Sequence, residues 1–110
     1  MLNNEEEVIL IGVRPGQSAD FEPVPLDTER TVIARVKAVK RSEFYEAQNS
    51  GYHPDITLEL WADEYQNEQR LRMGDIEYTV IRSYMMNNFR VELVCQQKAG
   101  DENGQTAIGG

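Results

Sequence analysis

Two alternating runs, Ile76 to Tyr84 and Phe89 to Gln97, are separated only by Met85-Met86-Asn87-Asn88, and this constrains the fold more than any other feature of the chain. Apolar and polar residues exchange along most of each run, the period of a strand with one buried face. A connection that short joins antiparallel neighbours, so the two runs predict a β-hairpin. Ile76, Tyr78 and Val80 would meet Phe89, Val91, Leu93 and Cys95 on one side, with Glu77, Thr79, Arg90 and Glu92 on the other. A ribbon apolar on one side is not stable alone in water, so other strands must cover it.

The rest of the chain supplies them. Glu7 to Val13 reads as a strand ended by Arg14-Pro15-Gly16, and Arg30 to Val39 places Val32, Ala34, Val36 and Ala38 on one face. Ile56, Leu58 and Leu60 alternate with Thr57, Glu59 and Trp61, and Leu71 with Met73 fits a short strand before Gly74-Asp75. Residues 14–29 hold Pro15, Gly16, Pro23, Pro25 and several acids, and read as a long loop. Ser42 precedes Glu43-Phe44-Tyr45-Glu46-Ala47-Gln48-Asn49 as a candidate helix cap, Glu43 suits the positive end of the helix dipole, and Gly51 is a natural stop. Five strands with one short helix leave too little helix for crossovers. The expected fold is therefore mainly β, a small antiparallel β-barrel with one short helix and two long loops, 14–29 and 41–55. Residues 1–97 would form this single domain, and the polar stretch 98–110 a disordered tail. Function on a small barrel normally lives on its excursions.

Charge narrows the function. Eleven Lys and Arg stand against 19 Asp and Glu, a formal net charge of −8, whereas affinity for nucleic acid comes largely from cations that release counterions from phosphates. Tight DNA binding is disfavoured. A lone cysteine excludes an internal disulfide and fits a reducing compartment, and Met1 to Glu7 is acidic where a signal peptide carries positive charge. No stretch is long and apolar enough to suggest a membrane span, and the reading has no membrane partner.

Reactive constellations are sparse. His53, the only histidine, stands beside Pro54 in a turn without an apparent catalytic partner, and Cys95 falls at an inward strand position, where a thiol behaves as a small hydrophobe. Asp63, Glu64, Glu68 and Asp75 lack the spacing of a calcium loop and read as a solvated rim. Gly12 and Gly16 fit no phosphate-binding pattern. Trp61 and Tyr65 suit either an aromatic contact surface or rim packing. No catalytic residue, metal site or cofactor is assigned. Gly109-Gly110 offers an alternative: ubiquitin-like modifiers and sulfur carriers end in Gly-Gly, because glycine threads a narrow active site. A β-grasp body, however, needs a more substantial helix.

The segments Arg41-Ser42-Glu43-Phe44-Tyr45-Glu46-Ala47, Gly51-Tyr52-His53-Pro54-Asp55 and Asp63-Glu64-Tyr65 carry a resemblance that continues through Ile76 to Tyr84 and Val91 to Cys95. In order and spacing they resemble the head closure, or head-tail joining, proteins of tailed phages and prophages. The resemblance spans about residues 30–97, with Ser83 where the family pattern has Thr. It implies a small β-barrel virion protein, made in the bacterial cytoplasm, that works without catalysis or cofactor. Such a protein oligomerises as a ring, twelvefold like the portal, beneath the portal and its adaptor. There it closes the DNA-filled head and presents a docking surface to tail components. Ser42, Glu43, Phe44, Tyr45 and Glu46 become the candidate channel or gate segment, in transient, non-specific contact with packaged DNA. An equally open reading has Phe44 and Tyr45 covering the end of the barrel. The 14–29 loop, with Asp20, Phe21, Glu22, Asp27 and Glu29, becomes the candidate docking and oligomerisation loop.

Overall fold

A computed structural model describes residues 4–98. Six strands, β1 (Glu5–Gln17), β2 (Pro23–Lys37), β3 (Ile56–Trp61), β4 (Arg70–Met73), β5 (Ile76–Met85) and β6 (Arg90–Gln97), form a closed barrel. Around it the order is β1-β2-β3-β6-β5-β4, with every pairing antiparallel. One helix, α1 (Arg41–Asn49), lies between β2 and β3. The mainly β, antiparallel barrel read from the sequence is therefore the fold. The sixth strand is β4, which pairs with β1 through Ile9–Arg72, Leu10–Leu71 and Ile11–Arg70 and so closes the sheet on itself.

The barrel interior is packed. Val8, Leu10, Val32, Ala34, Leu58, Leu60, Leu71, Val91, Leu93 and Cys95 alternate inward and meet as one core, joined by Tyr78 and Val80. A barrel of so few strands is filled by its side chains and leaves no bore. A bulge between Val80 and Arg82 shifts the β5–β6 register, which pairs Val80 with Cys95 and Ser83 with Leu93. Phe89 departs from the hairpin pattern: it stands in the turn before β6 and is 68% exposed. Asn87 causes this, because its Oδ1 accepts the backbone N–H groups of both Phe89 and Arg90 and holds the chain in a turn there.

Helix α1 ends as expected. Gly51 has φ +81°, its N–H donates to the Gln48 carbonyl, and the Tyr52 N–H donates to that of Ala47. This is a Schellman closure, which favours glycine at the left-handed position. The start differs. Lys40 is the N-terminal cap, no side chain caps the helix, and Ser42 lies inside it. Lys98 still belongs to the barrel, since its N–H donates to the Glu77 carbonyl. The remainder of the expected tail, with Gly109-Gly110, lies outside the described residues.

The largest correction concerns residues 14–29, which are not a loop. β1 and β2 stay paired from Glu5–Arg35 out to Gln17–Pro23, leaving only a short turn at 18–22. Ser18 N–H donates to the Glu22 carbonyl, so every second pair inward from there, Gly16–Val24 and Arg14–Leu26, belongs to the hydrogen-bonded set. Gln17–Pro23 and Pro15–Pro25 are the intervening pairs, at which backbone N–H groups point away from the partner strand. All three prolines thus occupy positions where an outer-edge ribbon needs no donor. Close packing reinforces the ribbon: a Cβ on Gly16 would stand 2.3 Å from Leu26 Cδ1. Beyond Ile11 and Glu29 the two strands have no further strand partner and form an arm, about 20 Å of paired strand over residues 12–17 at ~3.3 Å each.

Candidate functional site

Two features stand off the barrel, the β1–β2 arm and α1, and the sequence-derived candidates divide between them. The arm is clasped at its base. Arg70 Nη2 donates to Asp27 Oδ1 at 2.7 Å and Arg72 pairs with Glu29 at 3.3 Å. These pairs reach across β1 on the outside of the sheet, where Ile11 lies between its register partners Glu29 and Arg70 and is only 4% exposed. On the opposite face, Arg30 donates to Glu68 Oε2 at 2.6 Å and to the Glu64 carbonyl at 2.7 Å. Glu68 Oε1 accepts the Gln66 N–H, and the Tyr65 hydroxyl donates to the Glu68 carbonyl. Burial alone would raise the Glu68 carboxyl, but the hydrogen bonds from Arg30 and the backbone outweigh it and hold it below the ordinary range. The 62–69 connection is thereby strapped to β2 where the arm leaves the barrel. A solvated rim describes Asp75 and Asp63, whereas Glu68 is buried in this strap.

At the other end, Asp20, Phe21 and Glu22 are exposed at the tip. Ser18 organises them: its Oγ accepts the N–H groups of Asp20 and Glu22, and its carbonyl accepts that of Phe21. The five residues proposed for docking therefore have two roles in the fold. Asp27 and Glu29 hold the arm, while Asp20, Phe21 and Glu22 are presented by it.

Helix α1 is tied to β5 through Glu43 and Glu46, and its Ala47 is buried. Glu43 is buried, its Oε1 accepts the Tyr84 hydroxyl at 2.6 Å, and its Oε2 lies 2.8 Å from Arg82 Nε. Glu46 stands 3.8 Å from Arg82 and is largely exposed. Hydrogen bonding to Glu43, followed by burial, raises the Tyr84 phenol. Phe44 and Tyr45 touch edge to face with ring centres 6.5 Å apart, but both are exposed and neither joins the core. They do not cover the barrel end. Ser42, Glu43 and Glu46 instead line a concavity of about 490 Å³ with Lys37, Tyr84 and Glu92.

Below that concavity the outer sheet face carries an ionic row. Lys37 bridges Glu59 and Glu92, while Arg90 Nε donates to Glu59 Oε2 at 2.8 Å and its guanidinium stacks on Trp61 at 4.4 Å. Burial would raise the Glu59 carboxyl, but hydrogen bonds from Arg90 and Lys37 and their charges leave it lowered. The hydrogen bond to Glu92 raises Lys37 against the opposing effect of its own desolvation. Sequence reasoning missed this row, and its signal was weak: Lys37, Glu59, Arg90 and Glu92 share outward parity, but only the strand order makes them neighbours.

Cys95 and the backbone of His53 take part in the packing and chain path of the barrel. Cys95 is fully buried, and desolvation pushes its thiol up to about 12, far from the depressed value a reactive thiolate needs. The His53 backbone N–H donates to Gln96 Oε1, fixing the chain after α1 along β6. Among the described residues no group of three or more His, Cys, Asp or Glu is arranged to hold a metal ion, and no helix is long and apolar enough to cross a membrane. The chain matches no protein-family model and no curated protein at a significant level.

Proposed function

We propose that the protein is a structural component of a phage head-tail connector. It forms a ring, twelvefold like the portal, below the portal and adaptor, closes the DNA-filled head and offers the surface on which the tail docks. The observation that carries this reading is the arm: residues 12–28 are drawn out of a closed barrel to present three exposed residues, Asp20, Phe21 and Glu22, to something outside the fold. A monomer gains nothing from ordering such an element, and assembly does. The reading assigns no enzymatic step, cofactor or membrane contact.

The chain's acidity serves the same role. DNA must be held and later slide, and a surface of net charge −8 makes few phosphate contacts. Because the barrel itself is filled, the channel lies between subunits, with α1 as its gate segment: Glu43 acts as tether and Glu46 as the exposed charge. The Gly-Gly carrier reading has no observation in its favour among the described residues.

Electron microscopy of the protein mixed with purified portal and adaptor from the same genome tests this reading. A new ring layer is expected with the intact chain. The layer should vanish when residues 15–25 are replaced by a two-residue Asn-Gly turn that keeps Arg14 and Leu26 paired. Absence of a layer with the intact chain would overturn the connector role.

A further inference from the structure

The arm tip carries a device that the fold itself does not use. Phe21 is 77% exposed and has φ +65°, a left-handed conformation that a bulky residue holds only where its surroundings impose it. Ser18 imposes it through the three hydrogen bonds at the turn, and the outward-facing prolines stiffen the strands behind it. The result is an aromatic peg set between two carboxylates, Asp20 and Glu22.

A matching receptacle exists elsewhere on the chain. Where β2, β3 and the β5–β6 turn adjoin, Ile33, Trp61 and Phe89 line a concavity of about 420 Å³ on the outside of the barrel. They are 48%, 52% and 68% exposed, an unusual concentration of uncovered apolar side chains. Arg35 and Arg90 border the same concavity together with Glu5 and Glu59. Arg90 is already flattened against Trp61 and bonded to Glu59, while Arg35 makes no ion pair among the described residues. The apolar centre complements the apolar peg, and Arg35 is the bordering cation left to meet one of its acidic flanks.

Refining the ring reading above, on which it rests, we propose that the receptacle's occupant is the arm tip of a second copy of this chain. Phe21 of one copy seats against Ile33, Trp61 and Phe89 of the next, with a flanking carboxylate, Asp20 or Glu22, facing Arg35. Peg and receptacle are different surfaces, so the contact is head-to-tail and repeats around a ring rather than ending at a dimer. The paired strands of the arm reach about 20 Å past its base, with the tip beyond them, far enough to lie along an adjacent barrel.

Cysteine cross-linking tests the contact without altering the peg. An Ala19→Cys protein is mixed with an Asn88→Cys protein, with and without portal-adaptor complexes, and oxidised; native Cys95 is too buried to interfere. Mixed 19–88 dimers are expected, well above a control pairing Ala19→Cys with Asp75→Cys in the β4–β5 turn. Adding Phe21→Ala to the arm-bearing partner should lower the yield at least tenfold while leaving the denaturation midpoint unchanged. The self-contact is overturned if 19–88 dimers do not exceed the control even on the portal complex. Undiminished dimers with Phe21→Ala, or cross-links from residue 19 only to portal or adaptor, overturn it equally. A ring layer that persists in a Phe21→Ala protein removes this contact and leaves the connector role standing. Robust 19–88 dimers with no layer on the portal do the reverse.

Discussion

Glu59 and Glu68 are the residues through which acid acts on this fold. Both carboxyls are held below the ordinary 4.5 by the cations that bind them. In the window between the lowered value and 4.5 the unfolded chain binds more protons, so their contribution is present above about pH 4.5 and lost as the pH falls through the folded-state value. Urea midpoints should therefore show no loss from these groups between pH 7 and 5 and should drop below pH 4.5. Glu68→Gln should lower the neutral-pH midpoint and flatten the acid limb, which pH-resolved denaturation would reveal. Leu58, wholly buried at the barrel centre, tests packing instead: Leu58→Ala should cost about 2–5 kcal/mol by urea denaturation with little change in slope. The inward parity of Leu58, Leu60, Leu93 and Cys95 was legible from alternation alone. The burial of Glu59, at an outward position, was not. What covers it is Lys37 and Arg90, and they arrive from other strands.

At the scale of elements, α1 and the arm differ in how they are held. α1 depends on Glu43, whose partner Arg82 is more than a third exposed, so its ion pair is weakened by solvent. Glu43→Ala should loosen the helix by about 1–2 kcal/mol, seen as roughly 5–30-fold faster hydrogen exchange of the 44–49 amides with β3 and β6 unchanged. The arm is held by its ladder and by the straps at its base. Ser18→Ala removes the acceptor for two tip amides and should broaden the NMR resonances of 19–22 while leaving Arg14 to Leu26 paired. The helix stop at Gly51 was readable because a Schellman closure is chemistry of a few adjacent residues. The arm was misread for a related reason: Pro15, Pro23 and Pro25 argue locally against a strand. Only the β1–β2 register shows that all three fall where no inward donor is required.

For the whole molecule, arm and helix project from the filled barrel, and the net charge of −8 opposes binding to DNA phosphates. Filter binding at about physiological ionic strength should detect no retention of duplex DNA by the isolated protein, as the proposed channel role requires. Tight retention would count against α1 as a gate segment. By itself the sequence determined what alternation and turn chemistry encode: the β5–β6 hairpin, the β3 strand, the inward set of apolar residues, the end of α1, and hence a mainly β barrel. Those depend on neighbours in the chain. Tertiary structure alone decided that β4 closes the barrel against β1, that 14–29 is an arm rather than a loop, that Asp27 and Glu29 anchor it, and that Glu43 suspends α1 from Arg82 and Tyr84. Each of these joins residues distant in the chain, where a strand edge or a charge finds its partner through the register of the sheet and not through the pattern of the residues beside it.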